Sequence, residues 1–378
     1  MEPFSKALEM VAGAKDSRPL GHEPQRREAV KFRIKGALAV AVAATVMVAA
    51  SWNSGRACSR VLWKTDHMGV FAARSLDWHE IITPVMMIYP RGMKLTGDVG
   101  DNSAAWRSKY GSLVVTGANY DGIAIDGMNE KGLTAHLLYL EAAQYEKRDS
   151  RPGVSYLYWL RYLLDNSATV TEALGSLKTI QVVPVPIHGQ IFGTHVAIED
   201  PSGDSAIVEF IKGKLVIHHG PQYRVMTNDP PYAIAIKKLR QYQSFGGIKP
   251  IPGNIESIDR FVRAEYFLKY LPQPGDWTQG VASIFQVIHT VAVPFGAPYK
   301  SGPSDTYPTW WLSAADLTRR VYYFNATDSP NVIWVDVSAL DFSVGRAVMR
   351  LDANNPALAG NVSRDFTPAS SAARQSRE

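Results

Sequence analysis

The chemistry in this chain concentrates around one sulfur. Cys58 is the only cysteine in 378 residues, and Arg74 and Asp77 follow it at separations of sixteen and nineteen. A thiol attacks as its thiolate, and a guanidinium close to the sulfur favours that form. If Cys58 opens a processed chain, its own α-amine, with an ordinary pKa near 8, lies within reach of the thiol and takes its proton. Nucleophile and base are then one residue, with a nearby carboxylate to hold and orient the amine. Spacing alone reads Arg74 and Asp77 as an ordinary surface ion pair at least as readily, and an isolated cysteine as a buried, inert hydrophobe.

What precedes Cys58 favours the reactive reading. Lys31-Phe-Arg-Ile-Lys35 is followed by the apolar run GALAVAVAATVMVAASW and then the small and polar NSGRA. These are the basic, apolar and cleavage regions of a secretory signal. The apolar run falls short of the roughly 20 residues that span a bilayer, so no stable membrane insertion is expected after cleavage. We expect residues 1–30 to be a cytoplasmic extension or an over-early start, residues 31–57 a signal peptide, and the protein to be periplasmic or secreted in a bacterium. Cleavage after Ala57 makes Cys58 the first residue. A lipid-modified cysteine, and with it a lipid-anchored envelope binding protein, is the rival reading. Gly55 stands where a lipobox carries an aliphatic residue, and the charged Arg56 follows it.

Charge removes one class of partner. Residues 1–57 carry nine Lys and Arg and five Asp and Glu of the chain's 40 and 35, leaving 31 against 30 in the remainder. Nucleic-acid binding requires a sustained basic surface, which that balance denies. Nine histidines include His218-His219 but no H-x-x-x-H or Cys/His ligand pattern, and no Gly-rich phosphate loop occurs, so neither metal nor organic cofactor is expected.

The elements that must position these groups begin with a hairpin. Ser59 to Lys64 alternates polar and apolar, Asp66-His67-Met68-Gly69 reads as a turn, and Val70 to Ala73 resumes an extended run. Antiparallel pairing then returns Arg74 and Asp77 beside the start of the first strand. Further strands are expected near 112–116, 122–127, 132–139, 190–199, 205–211 and 214–218, and helices over 154–165, 169–178, 256–271 and 278–289. Closing strands follow near 309–313, 320–325 and 332–337. Strands at both chain ends with helices between suit an α+β fold of stacked antiparallel sheets covered by helices. From Ala353 the chain turns small and polar, and residues 353–378 are expected to fray as a flexible tail.

Five segments in one order carry a resemblance. Cys58 with A-R-S-L-D-W (73–78), D-G-M-N-E-K-G-L (126–133), V-M-T-N-D-P (225–230), D-R-F-V-R-A-E-Y (259–266), and W-W-L-S-A-A-D-L-T-R-R-V-Y-Y-F (310–324) with N-V-I-W-V-D (331–336) together resemble the choloylglycine hydrolase family. That family of N-terminal nucleophile amidases includes bile salt hydrolases and penicillin V acylases. The resemblance implies the family's αββα four-layer sandwich over 58–352, with Cys58 as nucleophile and Arg74, Asp77 and Arg260 around it. It also implies that Asn228 is an oxyanion donor by its side chain and Tyr139 by its backbone N–H. Residue by residue, Asn228 would otherwise read as part of a T-N-D-P turn and Tyr139 as core. Arg263, one helical turn beyond Arg260, receives no catalytic role.

The implied reaction is hydrolysis of a linear carboxamide in a small-molecule N-acyl substrate through a thioester. The aromatic Tyr139 tilts it toward penicillin V acylase-like activity, with conjugated bile salts and N-acyl-homoserine lactones as alternatives. The family pattern also implies a homo-oligomer, a tetramer. The insertion that helps pack subunits in longer members is missing between Asn228 and Gly246.

Overall fold

The computed structural model describes residues 57–117, 123–187, 189–299 and 306–369. The extension and the expected leader up to residue 56 lie outside the described residues, and Ala57, the leader's expected last residue, opens the first strand. In chain order, strands β1 (Ala57–Lys64), β2 (Val70–Asp77), β3 (Pro84–Tyr89), β4 (Lys94–Thr96), β5 (Ala105–Arg107), β6 (Ser112–Gly117), β7 (Ala124–Asn129), β8 (Thr134–Tyr139) and β9 (Gly153–Ser155) precede helices α1 (Trp159–Asn166) and α2 (Val170–Ser176). Strands β10 (Gln181–Val183), β11 (Thr194–Glu199), β12 (Ser205–Ile211), β13 (Lys214–His219) and β14 (Val225–Thr227) lead to helices α3 (Tyr232–Leu239), α4 (Ser257–Tyr270) and α5 (Trp277–His289). The chain closes with β15 (Thr309–Asp316), β16 (Val321–Ala326), β17 (Ile333–Asp336), β18 (Met349–Asp352), β19 (Gly360–Asn361) and β20 (Thr367–Pro368).

Two large sheets result. One runs β14-β1-β2-β15-β16-β17-β19, and the other β13-β12-β11-β8-β7-β6-β3-β18-β20. Their central strands are buried on both faces: β2 and β6 are covered along their whole length. That is the pattern of a sheet covered twice. Leu113, Val115, Met128, Leu138, Ala197 and Ile207 of the second sheet share a core with Val61, Phe71, Leu76 and Leu312 of the first and with Phe261, Val262 and Ile284 of α4 and α5. The other face of the second sheet, with Val114, Ala135, Val196 and Val208, packs on Trp159, Leu160, Leu163 and Leu164 of α1 and on Val170 and Ala173 of α2. The layers are therefore helix, sheet, sheet, helix, the expected αββα sandwich.

The helices differ in how the sequence prescribes them. Asp276 caps α5 by accepting from Gln279 N at 2.8 Å, and Gly280 lets that helix lie against β2, since a Cβ there would sit 2.5 Å from the Phe71 ring. Strand β9 occupies the start of the expected 154–165 helix, which begins only at Trp159. Helix α3 and strands β3 and β14 were not expected at all.

The tail expectation for 353–378 is corrected over residues 353–369, and residues 370–378 lie outside the described residues. Residues 353–369 belong to the folded body: β19 pairs with β17 and β20 with β18. Val362 is 1% and Phe366 9% exposed. Two apolar residues spaced to reach the sheet edges outweigh a small, polar composition.

Candidate active site

The β1–β2 hairpin sets the site. Its register places Cys58 opposite Leu76, Arg60 opposite Arg74 and Ala57 opposite Asp77. Because side chains alternate across a strand, Cys58 and Arg74 point between the sheets while Ser59 and Asp77 point to the helices. Arg74 confirms its direction by donating from Nη1 to Ile125 O of β7, at 2.5 Å, in the other sheet. Its Nη2 lies 3.5 Å from Cys58 Sγ, and its guanidinium stacks 4.9 Å from the centre of the Trp311 ring.

On the helix side Arg260 of α4 is the hub. Its Nη1 donates to Cys58 O at 2.8 Å and to Ser59 Oγ at 2.5 Å, and lies 3.5 Å from Asp77 Oδ2. Its Nη2 donates to Asn228 Oδ1 at 3.0 Å. Asn228 follows β14, whose pairing with β1 sets Thr227 against Ser59. The same Oδ1 therefore accepts the backbone N–H of Cys58, and Nδ2 donates to Tyr139 O at 2.7 Å. Arg263 faces elsewhere and holds Thr290 O, Pro252 O and Asn254 O.

All six expected residues thus meet, with three refinements. First, burial pushes the Cys58 thiol up. Arg74 and Arg260 pull it down without overcoming burial, and Asp77 adds to the rise. A raised thiol holds its proton more tightly, so attack calls for a group to take it. Second, the group that engages Cys58 N is Asn228, while the Asp77 carboxylate takes Thr309 Oγ1–H at 2.6 Å and faces Arg260. Burial lifts Asp77 to about 6 against Arg260 and its hydrogen bonds from Thr309 and Ser75. Third, it is the carbonyl of Tyr139 that bonds Asn228. Leu140 N donates to Gly193 O on the β11 side, so Tyr139, one residue earlier, directs both its N–H and its C=O to the opposite edge, toward Cys58.

Sequence reasoning missed the supports. Thr309, whose Oγ1 also accepts Val293 N at 2.7 Å, fixes Asp77. A buried chain of ions runs beneath the site: Arg60 pairs with Glu199, Glu199 with His136, and His136 with Asp126, which also accepts from Ser313 and Tyr322. The only sequence signal was polar residues inside apolar strands, as in C-S-R-V-L-W and T-A-H-L-L-Y.

Cys58 opens onto a cavity of about 110 Å³ whose lining includes Leu76, Trp78, Ile82, Ile125, Tyr139 and Phe192. Trp78 packs edge-on against Tyr139 and Phe192, both at 6.2 Å between ring centres. Among the described residues no group of three or more His, Cys, Asp or Glu side chains is placed to hold a metal ion.

The comparisons agree with this geometry. The chain is 34% identical over 343 residues to a penicillin V acylase of Pectobacterium atrosepticum, covering 83% of this chain and 90% of that one. It is 24% identical over 309 residues to a bile salt hydrolase/transferase of Bifidobacterium longum, covering 73% and 93%. The solved structure of a penicillin V acylase from Agrobacterium tumefaciens superposes with a TM-score of 0.74 at 37% identity, over 83% of this chain and 98% of that one. The sequence model described as linear amide C–N hydrolases, choloylglycine hydrolase family, matches residues 58–356. Two arginines, an aspartate and an asparagine gather around Cys58, which borders the apolar cavity, and the chain belongs to the choloylglycine hydrolase family of linear amide C–N hydrolases.

Proposed function

We propose that this protein is a penicillin V acylase-like amidase of the periplasm or exterior, in which Cys58, released as the first residue by removal of the segment before it, is the nucleophile. The observation that carries this reading is the convergence at Cys58: its nitrogen on Asn228 Oδ1, its sulfur 3.5 Å from Arg74, and both at the edge of the apolar cavity. The family match that opens at residue 58 supports it.

In this mechanism the neutral α-amine takes the thiol proton as Sγ adds to the amide carbonyl carbon. The oxygen that becomes negative receives the second Nδ2 hydrogen of Asn228 and the N–H of Tyr139, and one such donor is worth roughly 3–4 kcal/mol of barrier. The ammonium returns its proton to the leaving nitrogen as the C–N bond breaks, giving an acyl thioester and a free amine. Water, deprotonated by the same amine, then releases the acid and restores the thiol. Arg260 and Asp77 hold the backbone of Cys58 and the Asn228 amide in place.

The lining favours an aromatic acyl group: Trp78, Tyr139 and Phe192 present ring faces and edges in the apolar cavity beside Cys58. Bile-salt hydrolysis is the second reading, supported by the bile salt hydrolases among the relatives. The family resemblance supports a tetramer as the assembly, which light scattering checks.

The deciding experiment measures kcat/KM on penicillin V, glycocholate and a long-chain N-acyl-homoserine lactone, with intact-mass analysis of the exported protein. Penicillin V should be fastest, on a chain beginning with an unblocked Cys58. Active protein with polypeptide still joined ahead of Cys58 overturns the mechanism, and a mass gain of diacylglycerol makes the protein a lipid-anchored one.

A further inference from the structure

We propose that Asp229 is a positioning residue for the oxyanion site, acting through the turn that follows Tyr139. This inference rests on Cys58 being the nucleophile.

Asp229 Oδ2 accepts Glu141 N at 2.7 Å and Oδ1 accepts Ala142 N at 3.0 Å. The neighbouring side chain, Asn228, donates to Tyr139 O at 2.7 Å. Two consecutive side chains at the end of β14 therefore bind three backbone groups in the four residues 139–142 that close β8. Strands β14 and β8 belong to different sheets, so this dipeptide fixes the distance between the two halves of the oxyanion site, the Asn228 amide on one sheet and the Tyr139 peptide on the other.

The opposite side of the turn is closed by Gly193. Leu140 N donates to Gly193 O at 3.0 Å, and a Cβ on Gly193 would fall 2.0 Å from Leu140 O. Between that contact and Asp229 the peptide after Tyr139 has one place to lie. The bonds from Glu141 and Ala142 run to the two oxygens of one side chain, so they fix its plane and the turn together. Without them the turn keeps the Leu140–Gly193 and Asn228–Tyr139 bonds but loses its hold on Glu141 and Ala142, and the Tyr139 peptide can tilt relative to the carbonyl it must bind. Displacements on the order of 1 Å at such a group cost roughly 100-fold in rate. Asp229 is absent from the cavity wall and from the contacts of Cys58, so the sulfur itself keeps its surroundings.

The test separates oxyanion geometry from thiol reactivity. Asp229→Ala and Asp229→Asn are compared with the unaltered enzyme for kcat and KM on whichever of the three acyl amides it turns over fastest, and for the rate at which iodoacetamide alkylates Cys58. The Ala variant should lose about 10- to 100-fold in kcat, keep KM within about threefold and keep the alkylation rate. The Asn variant, which retains one acceptor oxygen, should recover part of kcat. An unchanged kcat in the Ala variant, or equal losses of kcat and alkylation rate in both variants, overturns the inference. Unaltered enzyme that stays active after alkylation overturns the nucleophile and this inference together, whereas a silenced unaltered enzyme with an unchanged Ala variant overturns this inference alone.

Discussion

Arg260 Nη2 donates to Asn228 Oδ1 at 3.0 Å, and that bond decides which way the amide faces. A guanidinium has donors only, so the amide must turn its oxygen to Arg260 and to Cys58 N, and its NH2 toward Tyr139 and the cavity. Asn228→Asp keeps an oxygen for Arg260 but replaces the oxyanion donor with an acceptor. We expect kcat to fall about 100- to 1000-fold, the loss typical of one oxyanion donor, with a lower thermal midpoint as well, because a carboxylate oxygen then faces Tyr139 O where Nδ2 donated. Steady-state kinetics on the purified variant check this, and wild-type kcat would remove Asn228 from the mechanism.

Arg74 is the cation nearest the sulfur, and it works against burial. Burial raises the Cys58 thiol, while Arg74 is the largest influence pulling it down. Arg74→Gln retains hydrogen bonding to Ile125 O and loses the charge. The pH midpoint for alkylation of Cys58 should move upward, and the rate at pH 7 should drop roughly tenfold, the factor that corresponds to about 1.4 kcal/mol of lost attraction. An unshifted alkylation profile would show that the Arg74 charge does not reach the thiol.

The site was legible where it is local or motif-bound. Cys58, Arg74 and Asp77 lie on one hairpin, so alternation and a turn signal sufficed to bring them together, and the two-sheet architecture followed from strands gathered at both chain ends. Asn228, Tyr139 and Arg260 came only from family resemblance, because nothing near them in sequence distinguishes a donor from a turn or core residue. Thr309, His136 and Glu199 were invisible for a physical reason: each bonds a partner at least 63 residues away, and a lone polar residue in an apolar strand does not name its partner. Strand β14 was missed because three residues are too few to show a period and V-M-T reads as part of a turn, and helix α3 because its eight residues open directly behind Pro230-Pro231, which reads as loop. The tail misled because composition outweighed two well-placed apolar residues, Val362 and Phe366.

Asp77 supplies a pH signature. Burial lifts its carboxyl to about 6, and the Thr309 hydroxyl is among the groups holding it down. If its ionised form helps hold Arg260, kcat/KM should rise along an acidic limb centred near pH 6. A hydrogen bond to the charged form favours that form, so Thr309→Val should move the limb to higher pH and Thr309→Ser should leave it in place. Coincident limbs in pH–rate profiles of all three proteins would exclude Asp77 as the source. The raised carboxyl also costs stability, by an amount absent below pH 3.8 and complete above about 6.

The ion chain beneath the site predicts how stability fails in alkali. Arg60 of β1 lies in one sheet and Glu199, His136 and Asp126 in the other, so the chain Arg60–Glu199–His136–Asp126, with Ser313 and Tyr322 on Asp126, ties the sheets together. Burial disfavours a charged His136, but Asp126 and Glu199 outweigh it and lift the imidazole to about 9. Burial likewise opposes the Glu199 charge, and Arg60 and His136 bring that carboxyl down to about 2. A raised imidazole contributes stability that is fully present below its ordinary 6.5 and lost as pH climbs through about 9. A lowered carboxyl contributes above 4.5 and loses its contribution as pH falls toward 2. Urea denaturation should therefore show a plateau near neutrality and a decline between pH 7 and 10 of at most about 3 kcal/mol, from 1.36 kcal/mol per pH unit. His136→Gln leaves Asp126 without its paired cation and Glu199 with Arg60 alone. It should be less stable at pH 7 by roughly 3–5 kcal/mol, the cost of breaking a buried pair, and its alkaline decline should be flattened. Lysines and tyrosines also titrate in that range, so the comparison of slopes carries the test: an equally steep decline in the variant would mean that His136 is neutral in the folded protein and that its charge does not tie the sheets.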